Sequence, residues 1–137
     1  MQEIGDDTFH GMTANAFMSV SLNPKLITVS VDKKAQMYGE LGESGKFAVS
    51  ILAEEQQNIS MHFAGQKKEG RGIDFDFIQD VSVIQHALTT MVCNMHSSHH
   101  VGDHTLYVGE VVDIGLNEGN PLTFFKGKYG TLAKQTN

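Results

Sequence analysis

Residues 99 to 111 read HHVGDHTLYVGEV, placing His99, His100 and His104 within six positions beside Asp103, with His96 just upstream. Imidazoles this close to a carboxylate suit three kinds of chemistry: a metal site, a catalytic turn, or a hydrogen-bonded hairpin end. A zinc site needs three or four ligands converging at about 2.0 to 2.1 Å, and neither an HExxH helix nor a CxxC pair accompanies these histidines. Neighbours on an extended strand point to opposite faces, so His99 and His100 cannot share an ion without a bulge. The stretch therefore reads as a hairpin and not as a metal centre. Gly102 permits a tight turn with positive φ, Asp103 can bond its own backbone, and His104 opens a strand at the rim of a sheet.

Other residues carry weaker signals. Lys33 and Lys34 precede a predicted helix, whose N-terminal amides and dipole favour an anion, although two solvated lysines in a turn explain them equally well. Thr13, Asn15 and Ser19 fit the exposed positions of an alternating strand, Phe63 fits core packing, and Tyr129 fits a surface strand. Cys93 is the only cysteine, so no intramolecular disulfide or thiolate cage is available, and its MVCNM setting reads as a core thiol.

The elements that must hold these residues are mostly strands. Fourteen glycines against two prolines imply glycine turns between short elements. Alternation predicts strands over Leu26 to Val31 and Phe47 to Leu52, further ones over Met91 to Met95, His104 to Val112 and Pro121 to Phe125, and a first strand region within Thr8 to Leu22. Two short helices are predicted, Ala35 to Glu43 before Gly45 and Glu54 to Ala64 before Gly65. Gln66 to Asp76, with three basic and three acidic residues, reads as an exposed loop. Strands outnumber helices, and the helices are connections, so a mainly β, small antiparallel barrel fits best.

At 137 residues the chain fits one domain. A net charge of −6 with scattered lysines offers no continuous basic face for a phosphate backbone, which argues against nucleic acid. No window approaches the roughly 18 apolar residues that cross a bilayer, and the acidic MQEIGDD start is unlike a signal peptide, so a soluble, cytoplasmic protein is expected.

Four segments taken in order carry a family likeness: GMTANAFMSVSLNPKLITVSVD (residues 11 to 32), SGKFAVSILAEEQQNISMHFAG (44 to 65), GDHTLYVGEVVD (102 to 113) and PLTFFKGKYGTL (121 to 132). Together they resemble the flavin reductase-like family over nearly the whole chain. The resemblance implies an antiparallel Greek-key split β-barrel with two short connecting helices. It also implies that Thr13, Ala14, Asn15, Ala16 and Phe17 run along the isoalloxazine edge, and that Lys33 and Lys34 lie near the flavin phosphate. Phe63, Ala64 and Tyr129 would approach the cofactor. His104, in its turn with Gly102 and Asp103, would lie beside the nicotinamide. The chain departs from the family pattern at Ala35, Gln36 and Met37, where hydroxyl residues are usual, so phosphate binding would rest on the lysines and backbone. Family members also begin with a helix and strand that this sequence lacks, which would leave a barrel edge open.

The function so implied is an NAD(P)H-dependent flavin reductase, a homodimer using FMN or FAD with NADH or NADPH, that supplies reduced flavin to a partner monooxygenase. A flavin-binding electron carrier and a cofactor-free relic on the same fold are the alternatives.

Overall fold

The computed structural model describes residues 2–5, 8–14, 16–34, 45–64, 74–78 and 81–132. The predicted helix over 35 to 43, residue Asn15, Gly65 and most of the predicted loop (66 to 73) lie outside the described residues.

Alternation over Leu26 to Val31 produces a strand that buries one face, and its neighbours follow from where each strand finds its partners. In chain order the strands are β1 (Gln2–Gly5), β2 (Thr8–Gly11), β3 (Phe17–Leu22), β4 (Lys25–Asp32) and β5 (Lys46–Ile51). A 3-10 turn (Glu54–Gln56) and one helix, α1 (Gln57–Phe63), follow. The rest are β6 (Phe75–Ile78), β7 (Val81–Ile84), β8 (Thr89–Val101), β9 (His104–Leu116), β10 (Thr123–Phe125) and β11 (Lys128–Gly130). Seven strands form one antiparallel sheet in the order β2-β1-β5-β8-β9-β4-β3, with β6–β7 and β10–β11 as separate hairpins.

The mainly β, antiparallel expectation holds, but the sheet is not closed into a barrel: β2 and β3 are its two edges. The chain between them bonds elsewhere, with the Thr13 N–H reaching the Phe63 carbonyl at the end of α1 and the Ala16 carbonyl accepting the Ser30 N–H of β4. β1, which the sequence pattern did not reveal, sits between β2 and β5. Phe75 and Asp76, expected in a loop, begin β6, and the expected helix from Glu54 starts as a 3-10 turn.

The core explains the differing clarity of the strand patterns. Ile27, Val29, Val31, Phe47, Val49, Met91, Cys93 and Tyr107 form one cluster on one face of the sheet. On the opposite face of β5 and β8, Ala48 and Val92 pack against Val81 and Val83 of the β6–β7 hairpin. The middle of β5 is thus buried on both sides, so Phe47, Ala48 and Val49 make an apolar run with little alternation. Each large side chain so buried stabilises the fold by roughly 1.5 to 3 kcal/mol before entropy is counted. β9, by contrast, alternates buried Thr105, Tyr107 and Gly109 with half-buried neighbours.

Candidate functional site

A cavity of about 520 Å³ opens on the face of the first core cluster, within the range of about 300 to 1,000 Å³ typical of small-molecule sites. Its floor is Val29 of β4 with Val49 and Ile51 of β5. Met12, Thr13, Ala14 and Phe17 form one side, Ile59, Ser60, Phe63 and Ala64 at α1 another, and Leu122, Phe124 and Tyr129 of the β10–β11 hairpin a third. The lining is mostly apolar and strongly aromatic. Its side-chain hydroxyls are bonded to groups in the walls: Thr13 Oγ1 donates to the Ser60 carbonyl, and the Ser60 hydroxyl and Tyr129 phenol are 2.9 Å apart. Phe124 meets the Tyr129 ring edge-on at 5.0 Å.

Helix α1 is aimed at this cavity by its start. The Gln56 side chain accepts the Ala53 N–H at 2.9 Å and donates to the Gln85 carbonyl at 3.0 Å, fixing the turn from which the helix departs. Such bonds satisfy helix-start amides that would otherwise be orphaned.

A second group stands at the β8–β9 turn. Gly102 has φ of 60°, as its role in a tight turn requires. The Lys33 N–H donates to the Asp103 carbonyl at 3.0 Å, the Lys34 N–H to the Asp32 carboxylate at 2.9 Å, and Asp32 lies opposite His104 in the β4–β9 register. His104 Nδ1 is 2.8 Å from an Asp103 carboxylate oxygen. That hydrogen bond, then the His104 charge, its own backbone amide and the Lys33 charge hold the Asp103 carboxyl below its ordinary value, against a small desolvation effect. The lysine side chains are exposed.

Of the residues singled out in the sequence, Thr13, Ala14, Phe17, Phe63, Ala64 and Tyr129 line the cavity. Lys33, Lys34, Gly102, Asp103 and His104 do not: they form the separate corner just described. Ala16 is not in the lining either, and its carbonyl bonds β4. Val29 in the cavity floor and Lys33 are four positions apart, which on extended backbone is roughly 13 Å. The other three histidines of this hairpin reach hydroxyls: His96 and His99 flank the Ser97 hydroxyl at 3.3 and 3.2 Å, and His100 meets that of Thr105 at 3.0 Å. Among the described residues no group of three His, Cys, Asp or Glu is placed to hold a metal ion, and no helix is long and apolar enough to cross a membrane. Sequence reasoning missed Ser60 and Phe124. A serine inside a helix, where it is a poor helix former, was the available signal for the first, and the alternation of β10 against Tyr129 for the second.

The family described as flavin reductase like domain matches residues 4–133. An NADH-dependent flavin reductase of Rhodococcus sp is 42% identical over 127 residues, covering 93% of this chain and 72% of that protein. The reductase component of 4-hydroxyphenylacetate 3-monooxygenase from Thermus thermophilus is 39% identical over 123 residues, covering 89% and 78%. Among solved structures, flavin reductase PheA2 in its native state superposes with a TM-score of 0.94 at 46% identity, covering 97% of this chain and 87% of that one. The chain belongs to the flavin reductase-like domain family.

Proposed function

We propose that this chain is a cytoplasmic, homodimeric NAD(P)H-dependent flavin reductase whose cavity seats the ring of FMN or FAD and whose reduced product passes to a partner monooxygenase. The observation that carries the reading is the cavity: aromatic and aliphatic walls for the flat faces of a ring, with the hydroxyls of Thr13, Ser50, Ser60 and Tyr129 already engaged by groups of the walls. The polar edge of such a ring then falls to the backbone at Ala14, whose small side chain puts no bulk in the way, while Ala16, outside the lining and with its carbonyl bonded to Ser30, belongs to the expected edge only. Neighbouring Asn15 belongs to the same expected edge.

A flavin held there would supply the hydride-accepting chemistry, with the nicotinamide as donor. The protein's contribution is placement and exclusion of water. Phe17, Phe63 and Tyr129 shape the ring site, with Ala64 leaving room at the end of α1. Lys33 and Lys34 lie about half the length of β4 beyond the cavity floor, within reach of a phosphate on the flavin's side arm. His104, held by Asp103 in the turn at Gly102, is a positioning group for the nicotinamide nucleotide. It is not asked to supply acid or base. Both the lysines and His104 stand on one corner, so that corner is where the anionic parts of the two nucleotides are received.

The test is oxidation of NADH and of NADPH by the purified protein with FMN, FAD and riboflavin in turn. Steady, flavin-dependent consumption of one nucleotide is the expected result. Flavin binding without turnover would make the chain an electron carrier, and absence of both would sink the reading.

A further inference from the structure

One wall of the cavity is not part of the main sheet. β10 and β11 pair only with each other, Phe124 opposite Tyr129 and Phe125 opposite Lys128, around a two-residue turn in which Lys126 and Gly127 both have positive φ. A turn of that kind matches the twist of its strands and makes a stiff unit. The unit is rooted by backbone bonds, from the Leu122 N–H to the Leu52 carbonyl and from the Glu54 N–H to the Asn120 carbonyl. Beyond that root, the Tyr129 phenol reaches across to the Ser60 hydroxyl of α1 at 2.9 Å.

Ser60 is a junction. It is buried, its carbonyl accepts both the Thr13 hydroxyl and the Ala64 N–H, and its own hydroxyl meets Tyr129. Three walls of the cavity therefore meet at one residue: the segment before β3, the end of α1 and the β10–β11 hairpin. An alanine would suit the helix better, and it would leave the half-buried phenol without its partner.

We infer that Ser60 is a positioning residue that, through Tyr129, holds the β10–β11 hairpin closed on the cavity and fixes the aromatic wall made by Tyr129 and Phe124. Alternation places Phe124 and Tyr129 on the cavity side of the hairpin and Phe125 and Lys128 on the other, so releasing the phenol frees both wall rings together. That the wall serves a flavin ring rests on the function proposed above; the latch itself does not.

The experiment compares wild type with Ser60→Ala, Tyr129→Phe and the double variant, after thermal melts show each is folded. Without ligand, tryptic cleavage after Lys126 and Lys128, identified by fragment mass, reports opening of the hairpin. Each single substitution should speed it about three- to tenfold, the range one hydrogen bond supports, and the double variant should be no faster than the singles. With riboflavin, which lacks the phosphate and so isolates the cavity from the lysines, dissociation should quicken by a similar factor and the visible spectrum of the bound flavin should shift. Wild-type cleavage rates in both single variants, or effects that multiply in the double variant, overturn the latch. Coupled effects on cleavage in a protein that binds no riboflavin uphold the latch and overturn the flavin reading.

Discussion

Gly109 lies against the ring of Phe47: a Cβ built on this glycine would stand 2.5 Å from Phe47 Cζ and 2.8 Å from Cys93 Cβ. Phe47 and Cys93 are fully buried, so neither the ring nor the backbone behind it has space to retreat. Gly109 belongs to the GDHTLYVGEV stretch, and its place there is explained by packing and not by chemistry. Replacing it with alanine is expected to destabilise the fold by about 1 to 3 kcal/mol, the usual cost of overpacking. Urea unfolding would show a lowered midpoint with little change in slope; an unchanged midpoint would mean that the strands separate more easily than this contact implies.

Burial pushes the Cys93 thiol up to about 12. A raised value in the folded state means that the stabilising contribution is complete below the unfolded thiol value and is lost as pH rises through the folded one. The native protein should therefore be inert to an aromatic disulfide reagent at neutral pH and lose stability progressively at strongly alkaline pH. Reaction at the rate of global unfolding is the expected kinetic signature. Rapid reaction of the native protein would contradict the burial.

The elements were legible where one face meets the core and the other does not. Leu26 to Val31 alternates because Ile27, Val29 and Val31 of β4 share the apolar core face while the other face carries half-buried Ser30 and Thr28, which is buried with its hydroxyl on the Tyr107 carbonyl; β9 likewise turns one face to the core, although both β8 and β9 run much longer than their apolar patterns since pairing with each other carries them past the core. β7 was invisible because Val81, Ser82, Val83 and Ile84 are all buried, which erases the period of two. The cavity was half legible. The family resemblance pointed to Thr13, Phe17 and Phe63, which local patterning alone reads as strand or core positions, and no local pattern reveals that Ser60 and Tyr129, 69 positions apart, share a hydrogen bond. Nor does sequence spacing show that Lys33 and His104 occupy one corner, which depends on β4 pairing with β9.

Removing Lys33 and Lys34 together is expected to weaken FMN by more than about tenfold while leaving riboflavin nearly untouched. Only FMN carries the phosphate, and hydrogen bonds to charged groups are worth about 1.5 to 3 kcal/mol. Equilibrium titration of both flavins decides the matter. Equal losses would show that the lysines are merely solvated, and the effect should shrink as salt is raised because both side chains are exposed.

His104→Ala is expected to lower turnover or raise the nicotinamide requirement with flavin affinity unchanged, whereas His99→Ala and His100→Ala should do neither. Asp103→Asn should reproduce part of the His104 effect, since the carboxylate is what fixes the imidazole at 2.8 Å. The Asp103 carboxyl is held below its ordinary value, so its contribution is present above that ordinary value and fades only as pH falls through the lower one. Equal importance of all three histidines, with zinc in the purified protein, would favour a metal site instead.

The final expectation concerns association. β3 is an edge of the main sheet, and Met18, Val20 and Leu22 along it are 59%, 50% and 83% exposed. An edge strand with unpaired backbone groups and apolar side chains is a template for another chain unless it is covered. Phe17 of the same strand lines the cavity, so a partner laid along β3 would also touch the proposed ring site. Covering the edge with a second copy satisfies both demands at once, and two-fold pairs are the commonest way for a soluble chain to do so. A stable pair should bury at least about 1,200 Å² in total. Sedimentation at micromolar concentration is expected to give a species of twice the chain mass, and Val20→Lys together with Leu22→Lys, changes on the exposed edge, should shift it toward the monomer. A wild-type chain that sediments as a monomer yet still reduces flavin would refute the paired assembly.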